Sequence, residues 1–125
     1  MSTLDDLGAG TYLSVTTFRD DGTPVATPVW LVRRDEQLLV LTQAMSGKVQ
    51  RIRGNPSVLI APCDRRGNLQ GEQVAALARL QDPVQTLITA DLLEHRYGLM
   101  GSMAAWVNEL PGGGGEHVGI TITLV

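Results

Sequence analysis

The chain has 125 residues, 43% of them hydrophobic but only 4% aromatic, with a formal net charge of −3 and a pI near 5.2. That length fits one domain over residues 1–125, able to bury about two thirds of the surface its unfolded chain exposes, with aliphatic side chains filling the core. The acidic balance argues against a general nucleic-acid binder, the single Cys63 excludes an internal disulfide or a cysteine-based zinc cage, and no apolar run approaches the length of a membrane helix.

Residues 1–11 lack a basic flank followed by an apolar run, so no secretory signal is expected and the expected location is cytoplasmic. Residues 12–18 alternate Leu13, Val15 and Thr17 against Tyr12, Ser14, Thr16 and Phe18, the pattern of a strand. Asp21-Gly22 offers a positive φ for a hairpin, and residues 24–32 return with Val25, Thr27, Val29 and Leu31 on one face. Pro28 has no N–H to give a neighbour, which puts this strand at an edge or at a bulge. After a turn at Asp35-Glu36, residues 37–42 form a third strand.

A helix follows, with Ser46 as its N-cap and Gly54-Asn55-Pro56 as its stop. Residues 57–63 read as a strand buried on both faces, and Asp64 to Gly67 as a turn. The alanines of residues 72–80 tolerate a helix, but Val74, Ala76, Ala78 and Leu80 alternate, so a strand is expected. Asp82-Pro83 starts a second helix, with Val84, Leu87, Ile88 and Leu92 as its buried stripe and Gly98 as its stop. Residues 99–110 read as a shorter helix, 111–115 as a glycine loop, and 118–125 as a closing strand. About six strands with inserted helices describe a mainly β fold, a small and partly open antiparallel barrel.

Charge is unevenly spread along this framework. Residues 46–67 hold Lys48, Arg51, Arg53, Arg65 and Arg66 against Asp64 alone, a local +4 that leaves −7 for the remainder. Lys48, the only lysine, and Arg51 stand three apart, about 60° around a helix, and so share a face, whereas Arg53 points elsewhere. Val49 and Ile52 would anchor the helix to the sheet. Free N–H groups at a helix start bind phosphate, Ser46 adds a hydroxyl, and Gly47 allows close approach. From the residues alone, this is either a phosphate site or a capped surface helix carrying solvated cations.

Side-chain catalysis finds little support. There is no Gly-x-Ser-x-Gly elbow, and His95 and His117 are the only imidazoles. His95 falls at a charged helix end, where exposure is usual, while His117 beside the glycine loop stands where a pocket mouth could be. Two histidines without a carboxylate pattern suggest no metal site. Cys63, ending an apolar strand, reads as a small buried hydrophobe. An enzyme with this inventory would draw its chemistry from a cofactor, and no catalytic side chain is assigned.

Three stretches in order, TTFRDDGTPVATPVW (16–30), SGKVQRIRGNP (46–56) and APCDRRG (61–67), followed by EHRYGLMG (94–101) and a terminal strand, resemble the split β-barrel oxidoreductases related to pyridoxamine 5′-phosphate oxidase. Within these, the chain is most similar to the branch using the deazaflavin coenzyme F420. The resemblance implies a homodimer of split barrels with a flavin-type cofactor in each interface groove. It implies that Ser46, Gly47 and Lys48 hold the cofactor phosphate, with Arg51 and Thr42 nearby. Pro28, Val29 and Trp30 would border the ring system, although Trp30 reads equally well as an ordinary buried aromatic. Arg65 and Arg66 would meet an acidic cofactor tail, a partner subunit or solvent.

The implied activity is hydride transfer from reduced coenzyme F420 to a small unsaturated or conjugated acceptor, with solvent or a tyrosine such as Tyr97 as the proton source. A second reading keeps the fold and changes the ligand to FMN, giving an oxidase or flavin reductase. A third is a cofactor carrier or binding module without turnover. Heme binding, seen in some relatives, is disfavoured because neither histidine is placed as an axial ligand. The substrate side, where residues 99–115 depart from the family pattern, stays open.

Overall fold

The computed structural model describes residues 4–97 and 116–125. A short helix, α1 (Leu4–Ala9), precedes the strands β1 (Tyr12–Phe18), β2 (Pro24–Arg34) and β3 (Gln37–Gln43). Then come α2 (Gly47–Gly54), β4 (Ser57–Cys63), β5 (Val74–Leu80), α3 (Pro83–Tyr97) and β6 (His117–Leu124). The strands run antiparallel in the order β1-β2-β3-β6-β5-β4. Because β4 also pairs back on β1, from Tyr12↔Cys63 to Thr16↔Leu59, the barrel is closed rather than partly open.

Period-2 alternation fills its interior. Leu13, Val15, Leu38, Ile60, Ile120 and Ile122 are essentially inaccessible to solvent, and Ala76 and Ala78 of the helix-tolerant segment lie with them as strand residues. Leu7 of α1, which periodicity did not reveal, plugs the same core. Two turns join the first three strands. Gly22 takes φ 89° in a loop closed by Arg19 N–H to Thr23 O at 2.9 Å, and Asp35 takes φ 56°, which a short polar side chain tolerates.

One irregularity positions everything functional. β2 pairs with β1 from Pro24 to Trp30, but with β3 only from Leu31↔Val40 to Arg34↔Gln37. At Trp30 and Leu41 the two strands part, so no described strand pairs with the first half of β2 on the side away from β1. Pro28, opposite Ser14, occupies that free edge and needs no donor there, as its chemistry requires.

α2 starts where expected: Ser46 Oγ accepts the Val49 N–H at 3.4 Å, and Val49 and Ile52 are buried. α3 starts at Asp82, whose carboxylate accepts the Gln85 N–H at 2.8 Å, but it buries a different face from the one periodicity suggested. Thr89, Ala90 and Leu93 face the barrel, while Val84, Leu87 and Ile88 are 67%, 71% and 42% exposed. Polar bonds explain the rotation. Thr89 Oγ1 donates to Gln81 Oε1 at 2.7 Å, Gln81 Nε2 donates to Thr121 Oγ1 at 2.9 Å, and the Gly119 N–H donates to Thr86 Oγ1 at 3.0 Å. Tyr97, on the same face, stacks on Trp30 with centroids 5.1 Å apart. The expected helix stop at Gly98, helix over 99–110 and loop over 111–115 lie outside the described residues.

Candidate functional site

Where β2 and β3 separate, the start of α2 turns toward the free edge of β2, and a cavity of about 1030 Å³ opens between them. Pro28, Val29 and Trp30 form one wall; Thr42, Ser46, Gly47, Lys48 and Arg51 form the other. All eight positions singled out in the sequence for a cofactor therefore line one cavity. Tyr12, 6.5 Å from Trp30 between ring centroids, extends the aromatic wall, and Leu41 continues the apolar lining.

The charged end is built by burial. Lys48 keeps only 8% of its surface, and its Nζ has one hydrogen-bond partner among the described residues, Thr42 Oγ1, at 3.4 Å. Burial first, and the neighbouring Arg51 guanidinium second, push its pKa down to about 8. Arg51 donates from Nε to Thr17 Oγ1 at 2.6 Å; burial first and Arg19 second lower its pKa from the usual value. No carboxylate among the described residues pairs with either cation. A buried cation without a counter-charge is costly, and an anionic ligand is the group that would offset it. Arg65, on the turn after β4, lines the cavity as well, whereas Arg66 does not and Arg53 is exposed.

The remaining candidates fall away from the cavity. His95 is exposed and bound to its own helix, Nδ1 lying 2.9 Å from Asp91 O. His117 pairs with Gln43 across β3 and β6 but does not line the cavity, so it is not at the pocket mouth. Cys63 is buried, with its pKa raised first by burial and then by Asp64, which fits a packing role. The Tyr97 hydroxyl donates to Leu31 O at 2.6 Å and accepts from Leu31 N at 3.3 Å. Arg96 reaches Leu31 O and Gly10 O, so the end of α3 ties down the strand behind Trp30. Burial raises the Tyr97 pKa, which makes it a poor proton source.

Residues 7–106 match the pyridoxamine 5′-phosphate oxidase family. The chain belongs to that family. No curated protein matches the sequence. Among solved structures, a protein described as an F420 reductase is 22% identical with a TM-score of 0.67, over 100% of this chain and 94% of its own. The heme storage protein HutZ from Vibrio cholerae is 14% identical with a TM-score of 0.67, over 94% and 83%. A pyridoxamine 5′-phosphate oxidase-related, FMN-binding protein from Nostoc punctiforme is 16% identical with a TM-score of 0.61, over 98% and 74%. At these identities the likeness shows a shared fold, used for several ligands.

Sequence reading missed Tyr12, Thr27, Leu41, Gln43 and Thr17. Each is an ordinary strand residue by pattern; only the parting of β2 from β3 puts the first four on the cavity, and only folding brings Thr17 against Arg51. No local signal marks them.

Proposed function

We propose that this member of the pyridoxamine 5′-phosphate oxidase family is an oxidoreductase using the deazaflavin coenzyme F420 to deliver a hydride to a small unsaturated or conjugated organic acceptor. The observation that carries the reading is Lys48: a buried amine at a helix start, without a carboxylate partner among the described residues, at the edge of a cavity walled by Pro28, Val29 and Trp30. The cofactor would supply the hydride chemistry. The residues bind and orient it. Lys48, the amides of α2 and the Ser46 hydroxyl suit its phosphate, and the unpaired edge of β2 suits a flat ring system. Tyr12, Trp30 and Leu41 exclude water from that face.

FMN is the second reading, favoured by the gathering of Lys48, Arg51 and Arg65 around one cavity, since such a cluster suits a phosphate monoester dianion. The homodimer belongs with both readings. Apolar side chains left exposed on α3 support a second copy, and no helix among the described residues is long and apolar enough to cross a membrane.

Fluorescence titration with coenzyme F420 and with FMN tests the reading and separates the two cofactors. Charge-assisted contacts are worth about 1.5–3 kcal/mol, so Lys48→Ala should weaken the preferred cofactor about ten- to hundredfold. A variant binding as tightly as the parent removes the assignment. Tight binding without turnover by any acceptor leaves a carrier in place of an enzyme.

A further inference from the structure

Arg51 stands where a cation is hard to keep. It belongs to α2, whose start carries the positive end of the helix dipole, it lies beside Lys48, and the charge of Arg19 also acts on it. Its guanidinium is nevertheless folded back over the first residue of the helix. A Cβ added at Gly47 would lie 2.6 Å from Arg51 Nη1, so the position is open only because Gly47 has no side chain. The other restraint is Thr17, fully buried on β1, whose Oγ1 takes the Arg51 Nε–H at 2.6 Å. With Nε engaged, Nη1 and Nη2 make no hydrogen bond to a described residue, and Arg51 is one of the residues that line the cavity.

We infer that Thr17 is a positioning residue, which with Gly47 holds the Arg51 guanidinium across the start of α2 as a second clamp on the ligand's phosphate. The inference rests on the cofactor reading above and extends it to a side chain that never touches the ligand. A guanidinium fixed at Nε presents its two terminal nitrogens as a fork, the geometry that accepts two phosphate oxygens at once, while Lys48 supplies a point charge beside it. Thr17 is a suitable anchor because the barrel wall immobilises it. Its β-branched side chain is wholly enclosed, and its hydroxyl also reaches Val25 O at 3.5 Å.

The test compares ligands that differ in phosphate: FMN against riboflavin, and coenzyme F420 against its phosphate-free deazaflavin alcohol. Thr17→Val keeps shape and removes the hydroxyl; Thr17→Ser keeps the hydroxyl. In T17V, affinity for the phosphorylated member should fall about five- to tenfold with the phosphate-free member unchanged, and T17S should restore it. Gly47→Ala displaces the guanidinium from the opposite side at an exposed helical position where alanine is well tolerated, and should give the same phosphate-selective loss. That arm holds even if T17V folds poorly. Equal losses on both members of a pair, or no loss in T17V and G47A, overturn the inference. Failure of the cofactor reading looks different: the parent protein itself then fails to prefer the phosphorylated member, and Lys48→Ala changes nothing.

Discussion

Lys48 is a cation that no carboxylate among the described residues answers, and its behaviour should depend on pH. Its folded pKa is about 8 against an ordinary 10.5. Below pH 8 the amine is protonated in both folded and unfolded chains, and burying the charge opposes folding. Between about pH 8 and 10.5 the unfolded chain keeps a proton that the folded chain has lost. Stability of the ligand-free protein should therefore rise with pH in that window, by up to about 1.4 kcal/mol per unit from this group. A bound anion favours the ammonium form, so cofactor affinity should fall in the same window, by up to about tenfold per unit. Denaturant unfolding without ligand and cofactor titration, each followed across the window, should show these opposite slopes. Lys48→Arg, which does not titrate there, should flatten both. At this scale the motif was legible and its energetics were not. Ser46, Gly47 and Lys48 announce a helix start, yet nothing local says that Lys48 will be 8% exposed with its amine against Thr42 of β3, because that depends on the tertiary packing.

α3 shows how an element can be recognised and still be turned the wrong way. Its aliphatic residues Val84, Leu87 and Ile88 make the more hydrophobic stripe, but the helix docks through Thr86, Thr89, Ala90, Leu93 and Tyr97. Gly119 sets the terms of that docking. Its missing side chain leaves room for the Gln81 amide, which would come within 1.9 Å of an added Cβ, and Gln81 in turn joins Thr89 to Thr121. Gly119→Ala must break those bonds or move α3. Two lost buried hydrogen bonds plus overpacking predict a destabilisation of about 2–4 kcal/mol and a Tm lower by about 10 °C, read by calorimetry. A Tm within a degree or two of the parent would mean that the Gln81 bridge does not hold α3. The strands, by contrast, were readable one by one, because alternation is a property of neighbours two apart and needs no tertiary partner.

For the whole molecule, closure of the barrel and parting of β2 from β3 are one design. Closure pairs most of the strand edges, and the stretch of β2 beside Pro28 that no described strand pairs is where the cavity opens. The homodimer proposed with the redox function predicts a solution mass of two copies of the 13.4 kDa chain at micromolar concentration, measurable by light scattering or sedimentation. A single-chain mass at tens of micromolar would remove the dimer from the proposal while leaving the cavity and its cations as they are. What the sequence determined by itself is what short-range chemistry controls: alternating strands, turns at Gly22 and Asp35, helix caps at Ser46 and Asp82, and a lysine and arginine on one face of α2. Only the tertiary structure decided that the barrel closes, that α3 docks through Thr89, Ala90 and Leu93 rather than its aliphatic stripe, that Lys48 is buried and that Thr17 meets Arg51. Those depend on contacts between residues far apart in the chain, and burial and hydrogen-bond pairing at that range outweigh any local preference.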